Sequence, residues 1–203
     1  MSRIVIVART RMQHDHLCIG GHDLDDGFRG VRLLDKFGDH WPPDVPFTVG
    51  GLWRIRYRPK VSARPPHVED VFVLGQEQLG AVPNLKALVL SRVHPWEGGP
   101  EVLYGGTLRA TDHGGAHIPM QGPLPRCSTG YWFPDHDLER HVLNGRARFL
   151  WTGDGPITHL TWVGTAAPPE CIPAGSLVRV SLSRAFRADG VPEGYYLQLS
   201  GVL

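Results

Sequence analysis

The chain has 203 residues, 41% of them hydrophobic and 20% charged, which excludes an intrinsically disordered polypeptide and leaves room for one large domain or two small ones. Lys and Arg number 21 against 20 Asp and Glu, a net charge of +1 that excludes a protein coating duplex DNA by overall charge. Three widely spaced cysteines, Cys18, Cys127 and Cys171, make neither a disulfide framework nor a zinc knuckle.

MSRIVIVART opens with an apolar run too short for a signal peptide, so it reads as a buried strand. No apolar stretch approaches the roughly 18 residues of a membrane span, and a soluble protein of the cytoplasm is expected. HLCIGGHDLDDGFRGVRLLD holds two apolar runs around Asp25-Asp26-Gly27, a hairpin pattern. WRIRYRPK alternates: Trp53, Ile55 and Tyr57 point one way, Arg54, Arg56 and Arg58 the other. VEDVFVL is a further strand. Asn84 can cap a helix over NLKALVLSRV.

HPWEGGP, at residues 94–100, resembles a linker. Beyond it EVLYGGTLRAT reads as a strand. PDHDLERHVLNG is expected to be a short helix capped by Asp135 and stopped by Asn144-Gly145. RARFLWTGDGPITHLTWVG predicts a hairpin around Gly153-Asp154-Gly155, and SLVRVSLSRAF and GYYLQLSGVL are closing strands. High Gly and Pro, 25 and 18 residues, fall singly between these runs as turns do. Each half therefore carries four or five short strands and one short helix, the inventory of a small Greek-key barrel such as the OB-fold. The expected fold is all-β with short helices: two tandem OB-like barrels, 1–96 and 97–203. One continuous β-sandwich fits the same pattern.

VIVARTRM, CIGGHDLDDGFRGVRLL, PPHVEDV and the closing YYLQLSGVL together resemble the dual OB-fold domain proteins of bacteria and archaea. The resemblance spans nearly the whole chain through short motifs that are specific in combination. It implies a nucleic-acid or nucleotide binder linked to defence against mobile elements, with no assigned chemistry. The chain departs at Gly21, an added glycine, and at Leu33, where a proline is usual; Cys18, Arg32, His67, Glu69 and Asp70 are kept.

Arginines at i, i+2 and i+4 on one strand face stand about 7 Å apart, close to the spacing of successive phosphates. The competing reading is a solvated outer face guarding an edge strand. On a strand, His67 and Glu69 would share one face and Asp70 the other. His67-x-Glu69 could hold a divalent metal only with a further ligand from His22, Asp23 or Asp25. The reading favoured here pairs Glu69 or Asp70 with neighbouring arginines, His67 lying hydrogen-bonded between them. His14, His16 and Cys18 match no standard zinc spacing, and Asp112, His113 and His117 have the same weakness. DLDDG is not a calcium loop, and there is no Walker loop, GxGxxG or GxSxG. Cys18, in mid-strand, is expected to be a buried inert thiol. Among the aromatics, Tyr131 and Trp132 stand beside a loop and are candidate stacking platforms.

The candidate ligand-binding set is thus Arg32, Arg54, Arg56, Arg58, His67, Glu69, Asp70, Tyr131 and Trp132, with no metal and no cofactor. The expected partner is single-stranded DNA or RNA, or a nucleotide. One alternative is a metal-assisted nuclease or nucleotide hydrolase built on His67, Glu69 and Asp70; another is an adaptor that binds a protein partner. No membrane partner is expected.

Overall fold

A computed structural model describes the whole chain, Met1–Leu203, and divides it into two compact units, Met1–Val93 and His94–Leu203. Both are all-β apart from short helical turns.

The first unit is a closed barrel of five strands: β1 (Ser2–Arg11), β2 (Leu17–Asp23), β3 (Arg29–Leu34), β4 (Gly51–Pro59) and β5 (Asp70–Ala81). The order around the barrel is β1-β2-β3-β5-β4, and β4 returns to β1. All pairs are antiparallel except β3 with β5. This is the order of an OB-like barrel, and closure removes the exposed edges. Alternation decides what faces inward: Ile19, Val31, Leu33, Trp53, Ile55 and Val71 fill the core. Between β3 and β4, Trp41 bridges Leu17 by paired backbone bonds, and fully buried Phe47 packs edge-on against Trp41 and Trp53. Gly21 lies in β2 because a Cβ there would stand 2.7 Å from the Ile4 side chain and 2.9 Å from the Val5 carbonyl oxygen. The helix α1 (Leu85–Leu90) follows, with Asn84 accepting from the Ala87 amide at 2.9 Å as its sequence suggests.

The second unit holds β6 (Trp96–Gly98), β7 (Arg109–Ala110), β8 (Ala116–Pro119), β9 (Thr129–Pro134), β10 (Leu138–Leu143), β11 (Arg146–Trp151), β12 (His159–Trp162), β13 (Cys171–Ile172), β14 (Val178–Leu182) and β15 (Gly194–Val202). Its main sheet runs β13-β10-β11-β12-β15-β14-β9-β6. Strands β9 and β10 are separated only by residues 135–137. Counted as one broken strand, they pair with β14 through the first part and with β11 through the second. The path β9/β10-β11-β12-β15-β14 then returns to its start, with the single parallel contact between β12 and β15. The first unit has the same order and the same parallel step, so both halves are OB-like barrels. Strands β6, β7, β8 and β13 are additions at the rim.

Four expectations are corrected. HPWEGGP is no linker, because Trp96–Gly98 pairs in parallel with β9. EVLYGGTLRAT forms a 3-10 stretch, Pro100–Gly106, and only a two-residue strand, since Tyr104, Gly105 and Gly106 all take positive φ. PDHDLERHVLNG is not a helix: Leu138–Leu143 is β10. Asn144 and Gly145, with φ of 53° and 70°, make the two-residue turn that hairpins β10 onto β11. Asp135 accordingly caps nothing and accepts from Trp151 Nε1 at 3.0 Å. Finally, β5 starts at Asp70, so His67 and Glu69 belong to the preceding loop.

No helix is long and apolar enough to cross a membrane.

Candidate functional site

On β3, Val31 and Leu33 point into the core, which turns Arg32 outward. It nevertheless stays only 7% exposed. The loop 60–69 explains this: Lys60 N donates to Asp70 O, His67 N to Arg64 O, and Arg32 N to Glu69 O at 2.7 Å. The first two shape the segment itself, and the third ties its end to the backbone of β3. Strands 2 and 3 and the loops after strands 1 and 4 are the usual ligand surface of an OB barrel. In this barrel the loop after strand 4 is RPPHVE itself.

The loop brings His67 onto Arg32, and the register of β5 against β3 brings Asp70 there. Arg32 Nη1 donates to Asp70 Oδ1 at 2.9 Å, with 8% and 2% of the two side chains exposed. Both Nη atoms approach His67 Nδ1, at 3.3 and 3.2 Å. A guanidinium can only donate, so Nδ1 is the acceptor and the neutral ring carries its proton on Nε2. Lys60 Nζ stands 3.9 Å from Asp70 Oδ2. Burial by itself would lower the Arg32 pKa, but its electrostatic coupling to Cys18, Asp70 and Glu69 outweighs it, and the guanidinium is raised above its usual value. Cys18 is half-buried and free, less enclosed than an inert core thiol would be. Glu69 is buried as well, at 5%.

The arginine row occupies the same outer face, on β4, separated from β3 by β5. Arg54, Arg56 and Arg58 are all exposed, opposite the inward Trp53, Ile55 and Tyr57. Arg54 is paired with Glu77 at 2.6 Å. Arg56 Nη2 donates to the Leu74 carbonyl at 3.4 Å, and Arg58 lies over the Phe72 ring at 4.7 Å. Neither Arg56 nor Arg58 has a carboxylate partner. The row continues into loop 60–69 through Lys60 and the exposed Arg64. Arg3, cross-strand from Arg54, is held by Asp25 at 2.6 Å. This hydrogen bond and charge raise the Arg3 pKa and lower that of Asp25.

A second polar chain closes one end of the barrel. Asp23, fully buried, accepts from Tyr57 Oη at 2.6 Å, and Tyr57 Oη accepts from Arg29 at 2.8 Å. Burial and the Asp23 bond push the Tyr57 hydroxyl up. This network holds the β2–β3 turn to β4.

Two of the expected residues lie in the other unit and are not platforms. Trp132 is fully buried, with Nε1 donating to Gly98 O at 2.8 Å, and Tyr131 is 5% exposed. The groups His67–Glu69, His14–Cys18 and Asp112–His117 do not converge into a set of three His, Cys, Asp or Glu side chains able to hold a metal. The His67 lone pair at Nδ1 is already directed at a cation. Lys60 and Phe72 belong to the surface and were not singled out from sequence: Lys60 reads as a strand-end cation and Phe72 as core, until pairing places it beside Arg58.

Comparison of the chain with protein-family models, with curated proteins and with solved structures gave no match.

Proposed function

We propose that the chain is a ligand-binding module and that the first barrel takes single-stranded nucleic acid or a nucleotide across the outer face of β4 and loop 60–69. The observation that carries this reading is the exposed pair Arg56 and Arg58, cations on one strand face with no carboxylate to neutralise them. Arginines of this kind present their free edges to phosphate in a fork geometry. Phe72 lies under Arg58 and holds its guanidinium in place on the strand face. The buried Arg32–His67–Asp70 network positions the loop, and the exposed arginines beside it supply the contact surface. The likeness of its motifs to the dual OB-fold domain proteins supports the same reading, including the link to defence.

The test is a titration of short labelled DNA and RNA strands and of mononucleotides at two salt concentrations, with and without magnesium. Salt-dependent binding that leaves the strands intact is expected. Arg56→Ala should weaken it for all sequences and reduce the salt slope by about 0.7 for each single-strand phosphate released. Arg56→Ala and Arg58→Ala together with undiminished binding refute the reading. Magnesium-dependent cleavage lost in Glu69→Gln would establish the hydrolase alternative instead.

A further inference from the structure

Phe37 is 78% exposed, the most exposed aromatic side chain of the protein, with Phe186 next at 46%. A single ring in water is ordinary on a protein surface. The position of this one is not, because the backbone fixes it beside the arginine row. Phe37 lies in the turn 35–39 that follows β3. Asp35 Oδ1 accepts from the amides of Phe37, Gly38 and Asp39 at 2.9, 2.8 and 2.8 Å, and Asp35 N donates to Asp39 O at 3.0 Å. These bonds hold the turn, so a partner of the ring loses little to ordering it.

The turn closes on Phe72. On β5, Val71 and Val73 point into the core, which puts Phe72 on the outer face. Leu34 pairs with Phe72 and Phe72 with Arg58, so the end of β3, this ring and the arginine row stand side by side. Gly38, at φ 99°, packs so close that a Cβ would come within 2.9 Å of Phe72 Cε1. The Arg58 guanidinium lies over the same ring, 4.7 Å from its centroid. Gly38 and Arg58 thus flank one aromatic ring, and Phe37 is the residue next to Gly38.

The surroundings of Phe37 are cationic. Lys36 Nζ sits over one face of its ring, 4.8 Å from the centroid, and the exposure of the side chain leaves the opposite face in water. Arg58 and Arg56 follow along β4. Against these three cations the turn sets one further acid, Asp39, since Asp35 is engaged by the three amides. A flat apolar face beside a row of cations suits a ligand that joins flat rings to a chain of anions.

We propose that Phe37 is a stacking platform for a nucleobase of a single strand whose phosphates run over Arg58 toward Arg56. This rests on the reading of the β4 face as a single-strand surface, and it adds that the strand is held through a base as well as through its phosphates. Stacking accepts any base, because every base has a π face, so the platform confers preference for a base-bearing strand and not for a sequence.

The test titrates the full chain with a short labelled oligothymidylate and with an abasic strand of the same length, each at two salt concentrations. Phe37→Ala should bind oligothymidylate about 5- to 150-fold more weakly, the range of one lost base–aromatic stack. Its salt slope should equal that of wild type, because no phosphate contact is lost. Phe37→Trp should restore the affinity. The abasic strand should bind wild type and Phe37→Ala equally, while Arg56→Ala should weaken both strands and lower both slopes. Denaturant unfolding of Phe37→Ala should match wild type, since the ring is exposed. The proposal is overturned if Phe37→Ala binds oligothymidylate as wild type does, or if it loses affinity for both strands alike. A loss of self-association in Phe37→Ala with strand binding untouched also overturns it, and assigns the ring to a protein contact. If wild type binds neither strand, the single-strand reading of the face falls and this inference with it; if wild type binds and Phe37→Ala is unimpaired, this inference alone falls.

Discussion

Replacing Asp70 by Asn tests whether the buried network of the first barrel holds by charge. The two side chains are almost isosteric, so packing is kept while Arg32 loses its carboxylate. That pair is 2.9 Å apart with 8% and 2% of the side chains exposed, far from the screened surface regime. Removing one member of such a pair costs about 3–5 kcal/mol, because the other charge stays buried without its counter-ion. Glu69 remains as a second acidic charge near Arg32, which argues for the lower end, about 3 kcal/mol. For a compact unit of this size, Met1–Val93, that corresponds to a fall in Tm of roughly 12–24 °C. Two units in one chain do not unfold as a single two-state system, so the measurement should be amide exchange at Leu33 and Val71, core positions of this barrel alone. Arg32→Met combined with Asp70→Asn removes both charges and should recover most of the loss. A cost below about 1 kcal/mol, the range of an exposed ion pair, would refute the argument. So would a double variant as unstable as the two single losses added together.

Gly21→Ala should destabilise the first barrel by about 1–3 kcal/mol through overpacking, because the new methyl meets the Ile4 side chain at 2.7 Å and backbone at 2.9 Å; denaturant unfolding checks it, and an unchanged midpoint sinks it. Burial holds the His117 pKa below its usual 6.5. A depressed pKa means the unfolded chain takes up the proton first, so this contribution to stability is complete above 6.5 and fades as pH falls through the lower folded value. His117→Gln should flatten the pH dependence of Tm across that window, and an unaltered slope would exclude His117 as its source.

How legible the site was depended on whether a residue's role is set by its own strand or by a distant segment. WRIRYRPK declares its two faces because a half-buried strand has period two, and Arg54, Arg56 and Arg58 stand outside as that period requires. Arg32 follows the same rule and points outward, yet it is buried by loop 60–69, more than twenty-five residues further along the chain. Its nearness to His67 and Asp70 was legible as strand neighbourhood; its enclosure was not. Asn144-Gly145 carries two meanings, helix stop and hairpin turn, and the pairing of β10 with β11 selects the second. Tyr131 and Trp132 show the limit of composition, since an aromatic beside a loop is as readily core as platform. Nothing in SLVRVSL separates Arg179 from an ordinary exposed strand residue, because its burial and the Ser200 bulge beside it arise from segments distant in the sequence.

The two barrels share one strand order, so a difference in function must lie in what their outer faces carry. The core of each is apolar. The fourth strand of each barrel, β4 in the first and β14 in the second, places arginine outward between core residues. In the first barrel Arg56 and Arg58 stand in solvent. In the second, the single guanidinium of Arg179 is enclosed, with Nη1 donating to Ser200 Oγ and the Tyr131 hydroxyl bonded to it. If the ligand reading proposed above holds, Arg56→Ala lowers affinity uniformly across sequences, since a phosphate contact carries no sequence information. Arg179→Met should leave affinity unchanged and act on the stability of the second barrel, because its partners there lose their hydrogen bonds. Titrating a labelled strand against each variant, beside denaturant unfolding of each, tells these two losses apart. If both variants lose affinity in the same way, the division between the two guanidinium environments is wrong.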